Sequence, residues 1–213
     1  MNETQVKNVI TTQNNAMSVF SGMETFTNAM QIATQLSKSD MIPAQYKGKP
    51  ENCVIALELS NRLNASPFEI MQNTYIVQGK PSWSSQFIIS RINSCAKFEG
   101  SLKFKFNEDK TACFAYITEK ATGEKLIGPA VTMQMAQAEG WFNKNGSKWK
   151  TMPQVMLRYR AATFFSRLYC PEIMFGMYTQ DEIQDIKQQN EDVEVIDIFP
   201  ETTEREVSEN AVK

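Results

Sequence analysis

The chain has 213 residues, a formal net charge of −2, 42% hydrophobic and 22% charged residues, and no histidine. That size and balance suit one globular domain with tails, and no apolar run approaches the ~20 residues needed to span a bilayer. The lack of histidine excludes Ser-His-Asp and Cys-His catalysis and histidine-ligated metal sites, and no G-x-x-x-x-G-K-[ST] motif marks a P-loop nucleotidase.

The remaining chemistry is sparse. Cys53, Cys95, Cys113 and Cys170 never form a Cys-x-x-Cys pair, so four reduced, mostly buried thiols are expected rather than a zinc site. Acids are scattered, without a D-x-D cluster, although distant carboxylates can still converge in a fold. The N-terminus carries no signal-peptide h-region, and a cytoplasmic protein without metal or cofactor is expected.

Along the chain, residues 1–22 are polar and read as a flexible segment. Phe26, Met30, Ile32 and Leu36 lie near helical spacing in 23–37, 39–50 reads as a loop, and 51–63 reads as a strong helix that Ser66-Pro67 ends. Tyr75 to Val77 predict a short strand, with a turn over 78–81 that contains Lys80. Ser84 or Ser85 caps a helix to about Lys97.

The period then changes. LKFKF (102–106) alternates, which puts Lys103 and Lys105 on one strand face; 107–110 turns, 111–118 returns, and 125–127 adds a third strand. Thr132 begins a short helix that stops at Gly140. Pro153 opens a helix to about Tyr169, and Thr179 with Glu182 forms a capping-box pattern for a last helix near 180–189. The class is α+β: a small antiparallel sheet with a hairpin, packed by several helices. The core is placed at 23–190, followed by a flexible acidic tail, 191–213, with eight acids against two basic residues.

From Gly140 to Pro171 there are six basic residues and no acid: Lys144, Lys148, Lys150, Arg158, Arg160 and Arg167. Trp141, Trp149, Tyr159, Phe164 and other aromatics are interleaved with them. A cationic track beside flat π-surfaces fits a single-stranded nucleic acid, and a solvated helix face over a hydrophobic core fits equally. At 100° per residue Arg160, Phe164 and Arg167 fall within about 60° of one another, while Arg158 points some 160° away, on the side of Ala162 and Phe165. Arg160 and Arg167 are thus the expected phosphate contacts. Lys150 joins them, with Lys103 and Lys105 secondary. Trp149 reads either as a base-stacking residue or as a buried hinge.

WKTMPQVMLRYRAATFFSRL (149–168) resembles the signature of the RecT/Redβ family of phage recombinases. The likeness continues through GMYTQDEI (176–183), and upstream through IALELSNRLNASPFEIMQNTYIV (55–77) and INSCAKFEGSLKF (92–104), in collinear order over roughly 25–186. The resemblance implies ATP-independent annealing of single-stranded DNA through an annealed duplex intermediate, by a homo-oligomeric ring or helical filament in the host bacterial cytoplasm. It also implies work beside a 5′→3′ exonuclease or host SSB, with no enzymatic step. Arg160 and Arg167 match the family's phosphate contacts, Trp149 and Arg158 match its motif, and Lys80 lies near a basic hairpin position. Lys144 and Lys148 complete the candidate set. Gln154 stands where some members have Lys, and the acidic tail replaces the further C-terminal domain of better-known members. A single-strand protection protein without annealing activity is the alternative.

Overall fold

The computed structural model of the chain describes residues 18–77, 79–143 and 146–186. In order these form α1 (Met23–Leu36), α2 (Pro50–Leu63), α3 (Pro67–Asn73), β1 (Thr74–Val77), β2 (Lys80–Trp83), α4 (Ser85–Ser94), β3 (Phe98–Phe106) and β4 (Ala112–Glu119). There follow β5 (Lys125–Ile127), β6 (Val131–Thr132), α5 (Met133–Ala138), α6 (Lys148–Thr151), α7 (Pro153–Tyr169), a 3-10 turn (Pro171–Ile173), β7 (Tyr178–Thr179) and α8 (Gln180–Ile186). The expected α+β class holds, with two small sheets in place of one.

One sheet has the order β1-β2-β7, an antiparallel hairpin to which β7 adds in parallel through Ser82↔Tyr178 and Trp83↔Thr179. The other has the order β3-β4-β5 and is antiparallel, with β6 also paired to β4. β3 pairs residue for residue from Lys103↔Tyr116 to Phe106↔Cys113, and its register shifts between Glu99 and Lys103. Gly100 lies in that shift at φ +75, a backbone region that glycine enters without steric cost.

α7 packs on β4 and lies beside α4. The Phe165 ring meets Phe98 edge-on at 5.9 Å and Tyr169 at 4.8 Å. Gly128 permits this approach, because a Cβ there would stand 3.2 Å from the Phe165 side chain. Ala115, Cys113 and Ile117 of β4 are buried beneath the helix, where β-strand alternation puts every second residue.

Caps set several boundaries. The Ser84 hydroxyl accepts from the Phe87 amide at 3.0 Å and the Thr132 hydroxyl from the Met135 amide at 3.0 Å, so both expected helix starts are realised. Ser66-Pro67 does not simply end α2. Ser66 caps α3 by accepting from the Glu69 amide, and Pro67 is that helix's first residue. In α1, Ala29 and Ala33 are buried and the expected Phe26, Met30 and Leu36 pack half-buried against the core, while Ile32, the fourth expected position, is exposed.

Of the expected N-terminal segment, residues 1–17 lie outside the described residues. Its end is docked: Val19 is buried, its amide donates to Glu58 Oε2 at 2.8 Å, and the Ser18 hydroxyl donates to Glu58 Oε1 at 2.9 Å. Burial pushes the Glu58 carboxyl up, but hydrogen bonds from Arg62, the Val19 amide and Ser18 outweigh it and hold the group below the usual carboxylate range.

All four cysteines are free; Cys53, Cys113 and Cys170 are buried and Cys95 is half-buried. Burial raises the Cys113 thiol to about 11 and the Cys170 thiol to about 12. A thiol reagent at pH 8 is therefore expected to modify Cys95 in the native protein and all four cysteines only after unfolding. Rapid native labelling of Cys113 or Cys170, read by peptide mass spectrometry, would contradict this packing.

Candidate nucleic-acid interface

The stripe of Arg160, Phe164 and Arg167 on α7 exists, but it faces the protein. Trp141 and Trp149 stack with ring centroids 5.0 Å apart, and the Arg160 guanidinium lies 4.2 Å over Trp141. Arg160 is 7% exposed, and its Nη1 stands 3.7 Å from Glu182 Oε1. Arg167 Nη2 donates to Glu182 Oε2 at 2.9 Å, with its guanidinium 4.9 Å from the Tyr178 ring centroid.

The expectation that this stripe lies clear of acids does not hold, because Glu182 arrives from α8, outside the acid-free run. The capping box brings it there. The Thr179 amide donates to Glu182 Oε2 at 2.8 Å, and the Glu182 amide donates back to the Thr179 hydroxyl at 3.3 Å. A cap that fixes the last helix also neutralises part of the arginine stripe.

Burial inverts the expected distinction between the two neighbouring arginines. Arg158, assigned to a partly buried face, is exposed, with its guanidinium 4.9 Å over the Phe106 ring at the end of β3. Ala162 and Phe165 on the same side are fully buried against the sheet, whereas Arg158 overhangs the sheet's end.

α6 displays Lys148 and Lys150 to solvent and turns Trp149 inward, 1% exposed. Trp149 is therefore buried rather than an open stacking platform. Lys144 lies outside the described residues. Lys80 is exposed where β2 begins, opposite Val77. The candidate contacts on α6, α7 and the hairpin thus fall into two groups. Lys148, Lys150 and Arg158 lie toward the N-terminal end of α7. Arg167 lies at its other end, beside the β1-β2-β7 sheet that carries Lys80. A helix of 17 residues separates its ends by about 25 Å.

Lys103 and Lys105 are exposed on the face of β3 turned away from α7. Cross-strand register brings them beside groups that sequence reading did not single out: Lys103 is opposite Tyr116, Lys105 opposite Phe114, and Lys125 opposite Thr118. The Lys125 ammonium lies 3.9 Å from the Tyr116 ring centroid. Alternation along TACFAYIT would have put Phe114 and Tyr116 on one face; only the register says which lysines share it. Among the described residues, no group of three or more Cys, Asp and Glu side chains is placed to hold a metal ion. No described helix is long and apolar enough to cross a membrane.

Glu182→Gln is expected to destabilise the protein by about 3 kcal/mol in urea unfolding, because it removes the charge facing the buried Arg160. Arg158→Ala, two residues before Arg160 but exposed, is expected to cost no more than about 1 kcal/mol. Equal costs for the two variants would show that Glu182 does not hold Arg160.

Comparison with known proteins bears directly on this region. No curated protein and no solved structure matches the chain. The model of the RecT family matches residues 97–194, which include β3 to β6, α6, all of α7 and the Glu182 cap. The match begins downstream of the α1–α4 segment, to which the sequence likeness also extended. Over residues 97–194 the chain is similar to the RecT family.

Proposed function

We propose that the chain is an ATP-independent single-strand DNA annealing protein of phage recombination, which holds strands by their phosphates and pairs complementary strands within an oligomer. The observation that carries this reading is the acid-free run of 140–171, folded as α6 and α7 inside the RecT-family stretch with Lys148, Lys150 and Arg158 exposed. In this reading the annealing core spans 23–190, flanked by 1–22 and the acidic 191–213, and works in the cytoplasm of the host cell. Lys148, Lys150, Arg158, Arg167 and Lys80 contact phosphates, and Arg160 positions Arg167 through the shared Glu182.

Phosphate contacts hold a strand regardless of sequence, with affinity from counterion release. They leave Watson–Crick edges free for a second strand, which annealing requires. One protomer offers only a few such contacts, so neighbouring protomers along the strand convert weak sites into a stable array by effective concentration. The single strand itself comes from a 5′→3′ exonuclease acting beside the annealing protein. Because α1 packs on α2, assembly is best measured with the whole chain. Particle mass of the intact chain on complementary oligonucleotides is the direct measure.

Alanine at Lys148, Lys150 or Arg158 is expected to weaken single-strand binding without sequence bias, shrinking the log–log salt slope by ~0.7 per residue. Unchanged slopes in folded variants would remove these residues from the interface. Annealing by the intact chain should need no ATP; an absolute ATP requirement, or binding without pairing, would overturn the annealing reading. Cleavage near Asn190 is expected to raise nonspecific DNA affinity, since the tail's eight acids compete with DNA for the same cations. Weaker binding by the shortened chain would contradict that competition.

A further inference from the structure

The face of the β3-β4-β5 sheet turned away from α7 is built differently from an ordinary solvated strand face. Three lysines stand on it, one at each end of a short cross-strand path and one between: Lys105 opposite Phe114, Lys103 opposite Tyr116, and Lys125 opposite Thr118. Phe114 and Tyr116 lie between them, half-buried, with ring centroids 6.1 Å apart. Ile127, opposite Tyr116, is half-exposed at 49%. The acid on this face is Glu99, opposite Thr118 at the end where the β3 register shifts. The helices that pack on this sheet, α4 and α7, lie on its other side, where Ala115, Cys113 and Ile117 are buried.

Two aromatic rings flanked by lysine ammonium groups are what a single strand needs: planar surfaces for bases and positive charge for the phosphates beside them. An acidic peptide would use the lysines and leave the rings without a role. Lys125 sits over the Tyr116 ring, so a base stacking there displaces the ammonium toward the phosphate that accompanies it. The sheet lies between this face and α7, so a strand on it is distinct from one held by Lys148, Lys150 and Arg158.

We propose that the outer face of the β3-β4-β5 sheet is a second single-strand binding surface, on which Lys103, Lys105 and Lys125 contact phosphates while Phe114 and Tyr116 stack on bases of the incoming strand. The proposal rests on the annealing reading and adds to it a place for the second strand. It also gives Lys103 and Lys105 a role separate from the α6–α7 contacts.

The test uses the full chain and a bromodeoxyuridine-substituted oligonucleotide, added as the complement after the first strand is bound. Ultraviolet crosslinking with peptide mass spectrometry is expected to mark Phe114 or Tyr116. The triple variant Lys103→Gln, Lys105→Gln, Lys125→Gln is expected to slow second-strand capture at least tenfold and to shrink its salt slope by about 2, three contacts at ~0.7 each. Phe114→Leu with Tyr116→Leu keeps the apolar volume and is expected to lose the crosslink while retaining the slope. Crosslinks confined to α6, α7 and the hairpin, with an unchanged rate in the lysine variant, would overturn the sheet-face site and leave the annealing reading intact. Loss of the lysine effect in a chain cut at Asn190 would also overturn it, by showing that the face holds the acidic tail. Failure of the intact chain to pair strands, with crosslinks still at Tyr116, would instead sink the annealing reading and keep the surface as a strand-binding site.

Discussion

One carboxylate ties the C-terminal half of the fold together. Glu182 receives the Thr179 amide, which closes the cap of α8 just after β7. It also receives Arg167 and faces Arg160, both on α7. A buried arginine without a counter-charge is costly, and a buried carboxylate without donors is equally so; together they form a set in which the main polar groups are served. The edge strand β7 is thereby fixed against α7 and delivers Tyr178 over Arg167. The hairpin sheet that bears Lys80 is positioned relative to α7 by the same few contacts.

This arrangement sorts the cations of the acid-free run into two kinds. Arg160 belongs to the scaffold, enclosed by Trp141 and Glu182. Lys148, Lys150 and Arg158 stay in solvent, where their charge is available to a polyanion. Arg167 is intermediate: its side chain is 35% exposed while one edge of the guanidinium is engaged. The charge that matters for a long-range field is therefore less than the count of basic residues suggests, because Glu182 cancels one of them from outside the run.

Several elements were legible because their signals are local. Pro153 at the first helical position set the start of α7, which ends at Tyr169 as expected, and the LKFKF alternation set the strand of Lys103 and Lys105. Ser84, Thr132 and the Thr179–Glu182 box marked helix starts that the structure realises. The missed elements are short: α3, α6, β2, β6 and β7 span two to seven residues each, too few for a period to show. Ser66-Pro67 was misleading for a definite reason: a serine followed by proline both ends one helix and caps the next.

By itself the sequence determined the α+β class, the segregation of charge, the absence of histidine chemistry and the α7 motif that the RecT family model independently matches. Those properties live in composition, spacing and local caps, which do not depend on what packs against them. Only the tertiary structure decided which arginine is buried. A helical wheel fixes angles between side chains but not which side a neighbouring element covers, and here the wall opposite the sheet is supplied by Trp141 and by Glu182, 22 residues after Arg160 in the chain. Likewise alternation put Phe114 with Tyr116 and Lys103 with Lys105, but cross-strand register alone made them one surface, because pairing between strands is a long-range choice that no local pattern specifies.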